Sequence, residues 1–210
     1  MSTTYDRIAG QSVERLCALS DGIFAVAMTL LVLDLRVPPE VKAAVHSEYD
    51  LWIVLGSLWR EVVPYVMTFL TLSIFWNGQQ VQLQQLKHSD RQITWIHLGF
   101  LFSVTILPFS TRLLADFILL RPALLVYWSN ILMLGVWLFA GWRCAKGSGL
   151  LKSHVSAEES RIIERRILVA QALYAFGTAL CLFDTYVSIA FIAAVQLNYA
   201  IAPGFRKRPK

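Results

Sequence analysis

Six runs of mostly apolar residues recur along the chain, separated by shorter polar stretches. A helix rising about 1.5 Å per residue needs roughly 20 such residues to cross about 30 Å of hydrocarbon. On that measure the sequence predicts spans over about 16–36, 62–83, 93–115, 122–142, 166–183 and 185–204. The last two are divided only by Asp184. As one helix they would extend about 60 Å, too long for a single crossing, so a tight hairpin at Asp184 is expected although no glycine or proline marks it.

The segment from Pro38 to Glu61 contains "LWIVLGSLWRE". Trp52 and Trp59 share a helical face by spacing, which predicts a short helix lying in the outer interface. Trp95, Tyr127 and Trp142 near span ends are expected in interfacial aromatic belts. In the long polar stretch "RCAKGSGLLKSHVSAEESRIIERR", the "SAEES" segment predicts a helix capped by Ser156, with Glu158 and Glu159 in its first turn. No repeat divides the chain into matching halves.

Composition fixes the class. The 210 residues are 56% hydrophobic and only 16% charged, against about a quarter charged in soluble domains, and the mean hydropathy is +0.54. An all-α membrane protein is expected, with one six-span domain over 1–205 and a basic tail at 206–210. Placing loops alternately puts 14 of the 19 lysines and arginines on the side that holds both termini. The positive-inside bias makes that side cytoplasmic, and the cell membrane is the expected location. The ending "FRKRPK" reads as an anchor beside anionic headgroups, with no nucleic-acid partner expected. The opening "MSTTYDRIAGQSVER" lacks the pattern of a cleaved signal peptide, so the first apolar run is expected to be retained. Cys17, Cys144 and Cys181 have no CxxC spacing and are expected as free, buried thiols.

Catalytic patterns are missing. The four histidines are dispersed without an HExxH pair, and there is no GxSxG elbow, glycine-rich phosphate loop or "TVGYG" filter. No enzyme activity, cofactor or structural metal is expected.

The first span, "RLCALSDGIFAVAMTLLVLDLRVP", carries the specific signal. Asp34 lies near its outer end and can be hydrated. Asp21 lies about one turn inside the cytoplasmic end and needs a donor, because an ionised carboxylate costs a few kcal/mol in the bilayer centre. At 100° per residue, Leu19, Gly22, Val26, Leu30 and Leu33 fall within about 80°, with Thr29 just beside them. Asp21 points roughly 140° from Val26, and Ser20 about 120° away on the other side. The aliphatic stripe and the polar pair must therefore face different neighbours.

"RLCALSD" resembles the R-x-x-x-F-S-D signature that opens the transmembrane protein 175 family of potassium channels, and "FAVAMTLLVLDLRVP", the Phe75–Trp76 pair and "WIHLGFLFSVTILPF" continue the likeness. Leu19 replaces the family phenylalanine, and "NGQQ" replaces the histidine-rich end of the second span. The resemblance implies a homotetramer in which each six-span subunit contributes its first helix to a central pore. It implies signature residues Arg15, Leu19, Ser20 and Asp21, and pore-facing Val26, Thr29, Leu30 and Leu33. Val26, Leu30 and Leu33 would form an aliphatic gate. Thr29 is the candidate for selectivity, and potassium would permeate near Val26, Thr29 and Leu30. Ser20 and Asp21 would tie the helix to its own subunit, with Trp76, Asn77 and His97 as candidate neighbours. Two other classes remain open: a proton- or sodium-coupled transporter using Asp21, and a non-conducting membrane scaffold. Broken helices near the midplane, usual in transporters, have only Gly22 to suggest them.

Overall fold

The computed structural model describes residues 12–33, 35–37, 41–42 and 45–205, with side chains to Ile201. Asp34 and the basic tail lie outside the described residues. Seven α-helices are present among them: α1 (Val13–Leu33), α2 (Glu48–Ser57), α3 (Trp59–Gln84), α4 (Arg91–Asp116), α5 (Arg121–Gly147), α6 (Ala157–Ala179) and α7 (Thr185–Phe205). A short 3₁₀ turn, Leu180–Leu182, precedes the α6–α7 connection. The described residues contain no strand beyond a single bridge between Leu86 and Leu151.

By length and apolar composition α1, α4 and α5 can each cross a membrane, and α2 with α3 qualify together as a fourth unit bent by 45°. The bend falls at Leu58, where α2 ends and α3 begins. Trp52 and Trp59 therefore sit on two different helices rather than on one face of one. Both remain exposed, as an interfacial position requires.

Capping fixes several starts. Ser47 accepts the Asp50 amide at α2, and Asp90 accepts the Ile93 amide at α4. Ser156 and Glu159 form a reciprocal capping box at α6, as the "SAEES" segment predicts. Asp184 starts α7: its Oδ1 accepts the amides of Tyr186 and Val187 at 2.7 and 3.0 Å. The carboxylate supplies the chain reversal that glycine or proline would otherwise mark.

Helices α3 to α7 pack in sequence, α7 returns onto α3, and α1 lies in the groove between α3 and α4. The main core includes Leu72, Val104, Leu107, Leu124, Leu134 and Ile192. Tyr127 and Trp142 are buried in the bundle rather than placed in an interfacial belt. Tyr127 stands among Thr68, Thr71 and the α7 residue Gln196, which donates to Thr71 at 2.8 Å. Trp142 donates to Ser160 at 3.1 Å, joining α5 to α6. Each aromatic ring is buried because its polar atom finds a partner there. Trp95 alone of the three is exposed. Of the cysteines, all free, only Cys181 is buried; Cys17 and Cys144 are half-buried.

A second, smaller core of Leu16, Leu83, Leu86, Ile93, Ala145 and Leu150 closes the end at which α1 starts. The Lys87 amide donates to the Leu150 carbonyl and the Lys152 amide to the Gln85 carbonyl, both at 2.9 Å. The α3–α4 loop is thereby tied to the α5–α6 loop.

Candidate functional site

Along α1, Leu16, Ser20, Phe24, Ala27 and Leu31 are buried against α3 and α4. Those positions repeat every three or four residues, the spacing of one helical face. At the motif end of that face, Ser20 is 0% exposed. Its hydroxyl donates to the Leu16 carbonyl at 2.8 Å, accepts from Gln79 Nε2 at 2.9 Å, and lies 2.8 Å from His97 Nε2. A hydroxyl has one proton and two lone pairs. With its proton given to Leu16 and one lone pair to Gln79, the remaining pair is satisfied only when His97 carries its proton on Nε2. The three bonds then join α1, α3 and α4 at one buried oxygen.

Asp21, one position on, faces α3 from the rim. Its Oδ1 accepts from Trp76 Nε1 and from Gln80 Nε2, both at 2.8 Å. Trp76, Gln79 and Gln80 stand three and four residues apart, so a single face of α3 reads both motif residues. Two neutral N–H donors thus hold the Asp21 carboxylate, with no cation paired to it among the described residues. Beneath the motif, the Phe24 and Phe75 rings pack at a tilt against Phe100, with centroids 6.0 and 6.4 Å from it.

The structure thus brings together Ser20, Asp21, Trp76 and His97. Asn77 is not part of this cluster: one residue past Trp76, it turns toward a cavity beside α6 and α7. Arg15 is exposed, and among the described residues no ion pair joins it to Asp21. Gln79 and Gln80 are the members that sequence reasoning missed. Their spacing from Trp76 was the available signal.

The opposite side of α1 has a different character. Val26 is 57% exposed, Leu30 45% and Leu33 59%, and Leu19 and Thr29 are exposed beside them. Leu19, Gly22, Val26 and Leu30 open onto an apolar groove of about 400 Å³ closed on its far side by Thr105 and Pro108 of α4. Thr29 donates its hydroxyl proton to the Val26 carbonyl at 2.9 Å. With the proton engaged, the oxygen has only lone pairs left to present outward, the arrangement that suits a cation. No group of three or more potential metal ligands occurs among the described residues.

Fold and composition together define an all-helical, multi-pass membrane protein. The family model described as endosomal/lysosomal potassium channel TMEM175 matches residues 15–108, from the start of the motif into α4. A protein of Streptomyces collinus named as a potassium channel is 28% identical over 201 residues, spanning 93% of both chains. A potassium channel of Chamaesiphon minutus is 26% identical over 191 residues, or 89% of this chain and 93% of that one. The human endosomal/lysosomal proton channel TMEM175 is 22% identical over 93% of this chain, which spans 38% of the human protein. The fold is that of the crystal structure titled a lysosomal potassium-selective channel TMEM175 homolog from Chamaesiphon minutus, with a TM-score of 0.78 over 90% of this chain and 97% of that one at 24% identity. The chain is thus similar to TMEM175 proteins over its first half and to these bacterial channels over most of its length, and those proteins are named as channels rather than enzymes.

Proposed function

We propose that this chain is one subunit of a potassium-permeable cation channel, a homotetramer in which four copies of α1 surround a central pore. The observation that carries the reading is the uncovered aliphatic stripe of Val26, Leu30 and Leu33. It lies on the side of α1 turned away from its own bundle, while Ser20 and Asp21 anchor the inner side. The names of the relatives support the ion.

In this reading α1, α3, α4, α5, α6 and α7 are the six spans, and the basic loops and both termini face the cytoplasm across the cell membrane. Rings of Val26, Leu30 and Leu33 form a narrow throat that closes by dewetting, since an ion entering it loses water and gains no ligand. Opening requires widening. Thr29 oxygens are the acceptors at that depth, and they favour potassium over sodium modestly because no ring of backbone carbonyls accompanies them. Asp21 acts in this scheme as an anchor, not as a carried-proton site.

The test is potassium flux from liposomes containing purified protein, with sodium as the comparison. The expected result is a passive current reversing at the potassium equilibrium potential, increased by Val26→Ala or Leu30→Ala. Saturable flux that follows a second ion gradient would replace the channel with a coupled transporter. Unchanged conductance in both variants would remove these residues from the throat.

A further inference from the structure

Outside the α1 site, the most distinctive feature is a cavity of about 350 Å³ between α3, α6 and α7, with one wall from α5. Its walls are largely aliphatic and aromatic: Ile74, Phe75, Leu138, Ile163 and Ile167 contribute. At its α6 entrance stands Arg166, whose guanidinium carbon lies 5.8 Å from the ring centroid of Tyr199 on α7. No carboxylate among the described residues pairs with Arg166. Deeper in, Tyr174 is 2% exposed and its hydroxyl has no partner, and Gln171 Oε1 is likewise buried and unpartnered. Both residues line the cavity. A buried hydroxyl without a partner is expensive, so a polar group belonging to something else is called for.

We propose that this cavity binds an anionic phospholipid of the cytoplasmic leaflet. Its phosphate sits on Arg166, and one acyl chain occupies the apolar interior. From Arg166 to Tyr174 is two helical turns, about 12 Å, and side chains on a helix lean toward its N-terminus. The Tyr174 hydroxyl is thereby brought back toward the entrance, to the level of the ester carbonyls, where it donates. A cation with no carboxylate partner among the described residues, beside an apolar cleft, matches the two chemical parts of such a lipid and matches neither a free anion nor a hydrophobic drug alone. The proposal rests on the cytoplasmic placement of the start of α6. It does not depend on conduction, so the channel reading can fail while this one stands.

Native mass spectrometry of the purified protein in detergent tests it, with phosphatidylglycerol, phosphatidylcholine of the same chains, and glycerol phosphate as probes. Wild type is expected to retain one phosphatidylglycerol per chain in preference to phosphatidylcholine. Arg166→Gln should lower that preference about fivefold, the equivalent of the roughly 1 kcal/mol that one cation contributes beside anionic lipid. Ala170→Phe, which fills the cavity, should reduce retention of both lipids; Ala200→Leu at the opposite wall does the same if the first variant does not fold. Equal retention of the two lipids, retention insensitive to all three substitutions, or binding of glycerol phosphate as tight as that of the lipid would each overturn the proposal.

Discussion

Replacing Ser20 with alanine isolates the contribution of the three-helix junction. The substitution deletes one buried oxygen and leaves two donors, the Gln79 amide and the His97 Nε2–H, facing a methyl group. In a soluble core each orphaned donor costs about 1–3 kcal/mol. In membranes the unfolded helices find partners too, and measured interhelical bonds average about 0.6 kcal/mol with a ceiling near 1.7. Ser20 is 0% exposed, so no bulk water reaches either donor once the hydroxyl is gone. Two bonds at the upper part of the membrane range give a destabilisation of about 2 kcal/mol. Unfolding in mixed micelles titrated with dodecyl sulfate measures it. Ser129→Ala is the control, since that exposed hydroxyl bonds only the Val126 carbonyl one turn back on its own helix, and its loss should stay within about 0.5 kcal/mol. Equal effects of the two substitutions would refute the junction.

Asp21→Asn retains an oxygen able to accept from Trp76 and Gln80, so it should assemble nearly as well as wild type, whereas Asp21→Ala should lower tetramer yield in size-exclusion chromatography without changing the potassium-to-sodium permeability ratio. Gly177→Ala sets a methyl carbon 2.8 Å from Phe191 and 2.9 Å from Ile192, so the α6–α7 hairpin should loosen by about 1–3 kcal/mol in the same unfolding assay. The backbone and side chain of Ser156 hold the Glu159 carboxyl below its ordinary value of 4.5. A depressed carboxylate stabilises fully above the unfolded value and loses that contribution as pH falls through the folded one. Protection of the first turn of α6, its hydrogen-exchange rate relative to the intrinsic rate at the same pH, should therefore fall below pH 4.5, and Glu159→Gln should flatten that acid dependence.

The long elements were legible because each is an apolar run bounded by polar residues, which needs no knowledge of neighbours. The division of α1 into two faces was legible for the same reason: helical geometry alone separates Val26 from Ser20. Trp76 and His97 could be named as neighbours of the motif, but Asn77 was grouped with Trp76 by adjacency, and adjacent residues on a helix diverge by about 100°. Gln79 and Gln80, three and four positions on, share the face of Trp76 and were passed over. The break at Leu58 directly follows the Gly56–Ser57 pair, a kink signal that the face argument for Trp52 and Trp59 left out. Burial of Tyr127 and Trp142 depends on Thr68, Thr71 and Ser160 in other helices. Pairing of Lys87 with Leu150 is backbone to backbone across more than 60 positions, and side-chain patterns carry no trace of it.

The central claim is that the Val26–Leu33 face of α1 lines the path of the ion. Potassium current through Leu30→Cys channels in a planar bilayer, in a background with Cys17, Cys144 and Cys181 replaced by alanine, measures it most directly when a water-soluble thiol reagent is added. Val136→Cys on the exposed side of α5 is the comparison. Block of the Leu30→Cys current with no change in Val136→Cys is the result expected; a Leu30→Cys current that survives complete labelling would contradict the pore.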